Sequence, residues 1–256
     1  MATPPVLRVV EREARVFSRL WRGVVFSLFL NPVLYLVALG LGLGDLVKQH
    51  TGNDEGVTYL QYVTPGVLMA VAMQVAAGES MWPVLGGVKW VRFFHGTVAT
   101  AITAGQVLYG YVLWIALRAM LGAVAFVLVA LVLGAIPSAW GILAIPIAGL
   151  CAAAFSAPLC AFSVAQDSDA AFPLIMRVGV LPIFLFSGAF FPISQLPERL
   201  QKVAMISPLW NSIELGRAAT TGVWEWSLVW NLALLLACIV GGLKWGVGRF
   251  ERRLTS

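Results

Sequence analysis

The sequence predicts an all-α, polytopic membrane protein with six transmembrane helices, an N-terminal amphipathic interfacial helix and a re-entrant extracytoplasmic helical hairpin after span five. Three observations predict this fold. Of the 256 residues, 60% are hydrophobic and 11% are charged, whereas charged residues make up about a quarter of a typical soluble domain. Six apolar stretches approach the ~20 residues that a spanning helix needs. Basic residues also cluster at alternate ends of these stretches. The low fraction of charged residues excludes a soluble protein.

The first 22 residues form the predicted interfacial helix. Their arginines recur every three or four residues, which puts them on one helical face, and the apolar residues fall largely on the other. The arginines are Arg8, Arg12, Arg15, Arg19 and Arg22. A cleaved signal peptide is the poorer interpretation, because its charged region would be shorter. We expect this segment to lie flat on the membrane.

Residues 23–248 form the predicted membrane domain, followed by a basic tail at 249–256. Its spans are Gly23 to Gly44, Tyr59 to Trp82, Gly105 to Leu133, Trp140 to Gln166, Phe172 to Phe191 and Ser227 to Gly248. Lys and Arg near span ends are retained in the cytoplasm. This layout puts twelve basic residues on one side and four on the other. Both termini are therefore predicted to be cytoplasmic, and the net charge of +5 reflects topology and no nucleic-acid partner.

Several kinds of chemistry have no support in the sequence. A phosphate-binding loop needs a Gly-Lys pair, and none occurs, so the chain is not expected to hydrolyse ATP or to have catalytic residues. An intramembrane serine protease would need a histidine near Ser80 or Ser187, but His50 and His95 fall in loops. The three cysteines and two histidines lack metal-ligand spacing, so no metal site is predicted.

The segment at 187–226 follows the fifth span on the predicted outer side. Pro192, Pro197 and Pro208 each interrupt a helix, and the helical pattern of Glu198 to Met205 is too short to span. Irregular backbone at membrane depth needs cover from protein or a watery cavity. Two interpretations stay open, a re-entrant hairpin packed on the bundle and an ordinary surface loop with an amphipathic turn.

The same segment carries a recognisable motif. It consists of Ser187-Gly188-Ala189-Phe190-Phe191-Pro192, Leu196-Pro197, Pro208-Leu209, Glu214 and Arg217. This motif resembles that of ABC-2-type transporter permeases, in particular the group of nodulation lipo-oligosaccharide exporters and daunorubicin-resistance permeases. The resemblance covers nearly the whole chain and implies a location in a bacterial cytoplasmic (inner) membrane. It implies a permease that pairs with a second copy or a similar permease and binds two cytoplasmic ATPase subunits. ATP and Mg would then be bound by those subunits, with no cofactor on this chain.

In that family the loop after span two carries a coupling helix that docks on the ATPase, which corresponds to residues 83–100 here. The basic and aromatic residues of this segment are Lys89, Trp90, Arg92, Phe93, Phe94 and His95. A loop anchored among lipid headgroups would have the same composition. Many relatives carry an acidic residue in this segment and this chain has none, so its docking contact is expected to differ.

Two ionisable residues, Glu79 and Arg118, fall inside predicted spans two and three. A charge at the bilayer centre costs ~2.5–3.5 kcal/mol on insertion scales, so both should seek partners. Because the two spans run in opposite directions, the residues can meet in the inner third of the membrane. They form either a structural ion pair or part of a substrate path. In the next cytoplasmic turn, Asp167 and Asp169 precede span five. They are predicted to cap its helix, with Asp169 directly before the first turn, and contact with the ATPase is the alternative.

These features predict the permease subunit of an ATP-driven exporter. Few polar residues lie within the spans, which favours an amphipathic substrate such as a lipid-linked saccharide, a glycolipid or a hydrophobic drug. The alternative is an ATP-independent channel or membrane assembly scaffold. An ATPase that co-purifies with the chain would distinguish the two.

Overall fold

A computed structural model describes the backbone of residues 4–42 and 58–255, and their side chains except at 20–33, 35 and 39–42. Nine α-helices form within these ranges. They are α1 (Pro5–Gly42), α2 (Tyr59–Lys89), α3 (Phe93–Val98), α4 (Ala104–Val132), α5 (Ala144–Ser163), α6 (Phe172–Phe186), α7 (Glu198–Ile206), α8 (Pro208–Thr221) and α9 (Leu228–Leu254). Short 3-10 turns occur at Ala139–Leu143 and Ile193–Gln195. The all-helical architecture predicted from the sequence is confirmed.

Four helical segments of the described chain are long and apolar enough to cross a membrane. They are Tyr59–Lys89, Ala104–Val132, Ala139–Ser163 and Leu228–Leu254. Two of these helices, α2 and α4, start with the same hydrogen-bonded cap. Thr58 and Thr103 each accept a hydrogen bond from the backbone N–H of a glutamine three residues later, whose side chain returns the contact. This reciprocal cap satisfies two N–H groups at the start of a helix, which is why α2 and α4 begin where they do.

Helix α5 lies at the centre of the bundle and packs against α2, α4 and α9. Most of its residues are alanine, glycine, serine or cysteine. Small side chains let neighbouring helices approach closely, and packing contacts of this kind hold membrane helices together in the absence of water. The α5–α9 contact shows this directly, because a Cβ atom at Gly242 would lie 2.6 Å from the Pro158 nitrogen. The small residues of α5 therefore determine how tightly its neighbours pack.

Helix α1 runs without a break through the predicted boundary between residues 22 and 23. Its N-terminal half packs along α4: Val9 is buried and contacts Gly110, and the Phe17 and Trp114 rings meet edge to face at 5.8 Å. The interfacial segment and the first span thus share one helix, since no turn residues separate them. Gly44, where the first span was predicted to end, and the loop residues Lys48 and His50 lie outside the described residues.

Helix α6 is shorter than the predicted fifth span. It ends at Phe186, whereas the apolar stretch continues to Phe191. Between Ile175 and Val180 it is a π-helix, which ends two residues before Pro182. Proline lacks the N–H that the carbonyl four residues earlier would use, and its ring crowds that carbonyl, which accounts for the wider winding.

Candidate functional site

The predicted coupling residues lie around a corner between α2 and α3. Trp90 is 65% exposed and Val91 is 73% exposed, and Lys89 and Arg92 are exposed beside them. Arg92 adopts the left-handed conformation, with φ of 54°, which is uncommon for a residue other than glycine and turns the chain into α3. We call residues 89–92 the exposed corner. Of its four side chains, those of Trp90, Val91 and Arg92 are exposed to a partner, and the Lys89 ammonium is already hydrogen-bonded to the Asp167 backbone carbonyl.

Phe94, in contrast, is fully buried. Its ring contacts the rings of Tyr111 at 5.5 Å and Phe250 at 5.9 Å, both edge to face. His95 is half-buried. The predicted set therefore divides by role: the corner is presented outward, and Phe94 fixes α3 to the bundle.

Helix α1 also contacts α3. The Arg12 guanidinium lies 3.7 Å from the centroid of the Phe93 ring, a distance at which a cation is attracted to an aromatic face. Arg12 pairs with Glu13, whose side chain is only 14% exposed. The N-terminal helix thus holds α3 from one side while Tyr111 and Phe250 hold it from the other.

Glu79 and Arg118 form an ion pair 2.7 Å long between α2 and α4, with about a quarter of each side chain exposed (23% and 27%). The Tyr111 hydroxyl donates a hydrogen bond of 3.1 Å to the Glu79 carbonyl. A continuous set of contacts therefore joins Phe94 on α3 to the ion pair through Tyr111. The Phe17 ring of α1 lies 5.9 Å from the Arg118 guanidinium.

Glu13 and Tyr111 are site residues that the sequence analysis missed. Glu13 lies four residues after Val9 and four before Phe17, so it is on the apolar face of the helix, opposite the arginines. A lone carboxylate on an apolar face was the signal that could have identified it. No comparable signal distinguished Tyr111, because its role depends on where α3 packs.

A second polar contact ties three chain segments together. The Arg253 guanidinium of α9 donates to the Asp167 carboxylate at 2.6 Å, and the Lys89 ammonium donates to the Asp167 backbone carbonyl. The hydrogen bond from Arg253, assisted by its charge, lowers the pKa of Asp167 below its ordinary value. We call this arrangement the Asp167 clasp.

The predicted cap of the fifth span is wrong. Helix α6 begins with Ala171 as its N-cap residue and no side chain bonds to its first turn. Asp169 instead accepts a 2.9 Å hydrogen bond from the Phe172 N–H with its backbone carbonyl. Pro173 explains the difference, because it removes the N–H at the second helical position that a capping carboxylate would use.

The motif residues after α6 converge on the start of α2. Arg217 pairs with Glu214 at 2.7 Å and donates to the Gly188 carbonyl at 2.6 Å. Its guanidinium also lies 4.2 Å from the centroid of the Tyr62 ring. Gly188 has a φ of 80°, a conformation that glycine adopts without strain. This arrangement reverses the chain at the end of α6 and fixes it against α2.

The remaining motif residues shape the same region. The Tyr59 hydroxyl donates to the Phe190 carbonyl at 3.4 Å, and Ser187 is buried. Phe191 is half-buried, and Pro192 follows it at the surface. Each predicted proline stands immediately before or at the start of an element: Pro192 before the 3-10 turn, Pro197 before α7 and Pro208 at the first position of α8.

No group of three or more His, Cys, Asp or Glu side chains in the described part of the chain could hold a metal ion. Cys151, Cys160 and Cys238 are free thiols, the first two fully buried. The chemistry of these sites is therefore that of ion pairs, aromatic contacts and helix packing.

Comparison with known proteins gives consistent similarities. The family model described as ABC-2 type transporter matches residues 6–220. Nodulation protein J of Sinorhizobium fredii (strain NBRC 101917 / NGR234) is 29% identical over 226 residues, 88% of this chain and 85% of the relative. Nodulation protein J of Rhizobium leguminosarum bv. trifolii is 30% identical over 75% of this chain and 72% of the relative. The inner membrane transport permease YadH of Escherichia coli (strain K12) is 22% identical over 90% of this chain and 88% of the relative.

Proposed function

This chain belongs to the ABC-2 type transporter family and is therefore a multi-pass membrane permease; we propose that it is the transmembrane subunit of an ATP-driven exporter. The observation that carries the proposal is the family match over residues 6–220, which spans both the exposed corner and the motif after α6. Similarity to an inner membrane transport permease supports a location in the cytoplasmic membrane of a bacterium.

We propose six spans, with both termini in the cytoplasm. Four are the long apolar segments described above, and the second half of α1 is the first span. Helix α6, at ~1.5 Å per residue, reaches ~22 Å, short of the ~30 Å hydrocarbon core. The bilayer would thin locally around this shorter crossing, because the chain turns back at Gly188 directly after the helix. The distribution of basic residues supports the orientation.

Helices α7 and α8 form the proposed re-entrant hairpin. Helix α8 packs against α2, α5 and α9, and Gly216 lies directly against Met69. Met69 is ten residues into α2, ~15 Å along its axis at ~1.5 Å per residue. Such a depth is about half of the hydrocarbon core. The cover that irregular backbone needs at this depth comes from three neighbouring helices.

In the proposed mechanism, two ATPase subunits bind ATP and Mg and dock on the exposed corner of this permease and of a second copy or similar permease. Their closure moves α3, and Phe94 and Arg12 transmit that movement to Tyr111, Glu79 and Arg118. An element with two arrangements that differ in their affinity for substrate would then open the transport path. Apolar spans with few polar residues favour an amphipathic substrate, such as a lipid-linked saccharide, a glycolipid or a hydrophobic drug.

Co-purification in gentle detergent tests this proposal. A subunit with a phosphate-binding loop should co-purify with the chain, and reconstituted vesicles should consume ATP. Trp90→Ala at the exposed corner should remove most of the bound ATPase. Trp226→Ala is the matched control, because Trp226 is 91% exposed on the opposite, proposed outer side. Absence of an ATPase from the native complex, or equal loss in both variants, would favour an ATP-independent channel or scaffold.

A further inference from the structure

A pocket of about 440 Å³ opens between the N-terminal half of α1, helix α3 and the start of α4. This volume falls in the range of small-ligand sites, about 300 to 1,000 Å³. One wall carries the guanidinium groups of Arg8 and Arg12, and the facing wall carries the hydroxyls of Thr97 and Thr100. The arginines are four residues apart and so share a helix face. The pocket thus combines two arginine cations with two hydroxyls.

The polar groups differ in what they can still bind. In the described structure Glu13 is the acceptor for Arg12, and Arg8 is exposed with five N–H donors available for an anion. The Thr97 hydroxyl donates its hydrogen to the Phe93 carbonyl at 2.9 Å, and the Thr100 hydroxyl donates to the Thr97 carbonyl at 2.7 Å. Both hydroxyl oxygens can therefore only accept a further hydrogen bond. A ligand suited to this pocket carries an anionic group and, opposite it, a donor such as a hydroxyl.

The base of the pocket is apolar. It is formed by Val9, Phe94 and Val107, and Val107 lies in the first turn of the apolar helix α4. An amphipathic helix with an arginine-rich face associates with anionic lipid surfaces, and basic pockets between membrane helices bind anionic headgroups. An acidic side chain of an ATPase would match the arginines but not the apolar base. The combination of two arginines with an apolar base therefore favours a lipid over a protein side chain.

We infer that this pocket binds the headgroup of an anionic phospholipid, with the phosphate between Arg8 and Arg12 and a glycerol hydroxyl on Thr97 or Thr100. Arginine is suited to this role because its planar fork can donate two hydrogen bonds to a phosphate. Because α1 and α3 form opposite walls, a bound headgroup would brace α3 against α1. The pocket can bind a headgroup only if the start of α4 lies at the depth of the lipid headgroups in the membrane. The inference does not depend on ATP-driven transport.

Lipid-dependent thermal stabilisation of the purified chain tests this site. Dioleoylphosphatidylglycerol added to mixed micelles of detergent and phosphatidylcholine should raise the Tm of the wild-type chain, and native mass spectrometry should show a retained phosphatidylglycerol. Replacing Arg8 and Arg12 with Gln should raise the lipid fraction needed for half of the Tm shift by roughly tenfold or more. Replacing Arg15 and Arg19 with Gln is the matched control, since it removes the same charge from the same helix outside the pocket.

A second variant fills the pocket and keeps both arginines. Gly96 lines the cavity, and a Cβ atom there meets no atom within 4 Å. Gly96→Leu should therefore fold and keep its Tm in phosphatidylcholine, but lose the rise in Tm caused by phosphatidylglycerol. Gly96→Ala should retain that rise. Equal shifts in the Arg8/Arg12 and Arg15/Arg19 variants would overturn the inference. So would an equal shift with glycerol 3-phosphate, which would indicate a soluble anion. Loss of ATPase co-purification in the Arg8/Arg12 variant with an unchanged lipid shift would assign the pocket to the protein partner instead.

Discussion

Arg118 carries a full charge in α4, whose other residues are almost all apolar. A charge of this kind costs ~2.5–3.5 kcal/mol near the centre of a spanning helix and persists only with a partner or access to water. Glu79 supplies the partner at 2.7 Å. Because about a quarter of each side chain is exposed, the pair keeps some access to a polar surrounding. The ion pair therefore stabilises each charge more than it would be stabilised without its partner.

We predict that Glu79→Gln and Arg118→Gln each lower the free energy of unfolding by about 3 kcal/mol, because each leaves one charge without its partner. Both should also reduce transport. The exchange variant, with Glu79→Arg and Arg118→Glu together, should recover much of the stability lost in either single charge reversal. Thermal unfolding in detergent and transport in reconstituted vesicles are the measurements.

An exposed pair on α7 provides the control for this experiment. Glu198 and Lys202 lie 2.8 Å apart with 80% and 73% of their side chains exposed. Exposed pairs contribute about 0.2–1 kcal/mol, so Glu198→Gln should have little effect. If the exchange variant recovers neither stability nor transport, the two charges act separately, and a direct contact with substrate becomes the better explanation.

The sequence could suggest that Glu79 and Arg118 lie near one another, because a charge in an apolar span needs a partner and adjacent spans run in opposite directions. It could not identify Glu13 or Tyr111 as neighbours. The position of Glu13 requires α1 to pack along α4, which depends on the fit of Val9 against Gly110, and the role of Tyr111 requires α3 to pack on α4. Hydrophobic periodicity shows which face of a helix is buried, but not which helix covers it.

At the scale of elements, α3 is a six-residue helix, too short to be stable by its own hydrogen bonds. Its position depends on Phe94. We predict that Phe94→Ala lowers the free energy of unfolding by about 3–5 kcal/mol, the range for removing a buried phenylalanine side chain. It should also uncouple ATP hydrolysis from transport, because α3 would lose its contacts with Tyr111 and Phe250. Thermal unfolding and the ratio of substrate moved to ATP consumed are the measurements.

Trp90→Ala distinguishes anchoring from docking in this experiment. Trp90 is 65% exposed, so its removal should leave the unfolding temperature of the isolated chain nearly unchanged and still weaken ATPase binding. Equal destabilisation by the two variants would mean that the exposed corner is itself part of the packed structure, and the division of the segment into a corner and an anchor would be wrong.

The helices themselves could be predicted in most places, because their apolar length is visible in the sequence and Thr-x-x-Gln caps start α2 and α4. The end of helix α6 was harder to predict. Its apolar composition continues to Phe191, yet the helix ends at Phe186, where Arg217 and Tyr62 bind the backbone of the reversal at Gly188. Those contacts come from residues distant in the sequence, so a composition window cannot detect the end of the helix.

In the molecule as a whole, polar contacts lie at both ends of an apolar bundle. At one end the Asp167 clasp joins the end of α2, the turn before α6 and the end of α9. At the other, Arg217 and two tyrosines join α2 to the chain after α6. A permease that alternates between two states changes some of its contacts and keeps others. The clasp is the more exposed of the two, with 81% of the Asp167 side chain accessible, and is the contact more easily altered.

The pH dependence of the clasp gives a test of its role. The hydrogen bond from Arg253 lowers the pKa of Asp167, so its contribution to stability is fully present above the unfolded pKa, about 3.9, and is lost as the pH falls through the lower, folded value. We therefore predict that Asp167→Asn lowers the Tm at pH 7, and that its difference from wild type shrinks steadily below about pH 4 and in high salt. Asp169→Asn is the matched control and should leave the Tm at pH 7 nearly unchanged, because the hydrogen bond described at Asp169 uses its backbone carbonyl. If Asp167→Asn matches wild type at pH 7 and low salt, or if its deficit grows as the pH falls, the clasp does not join these three segments in solution.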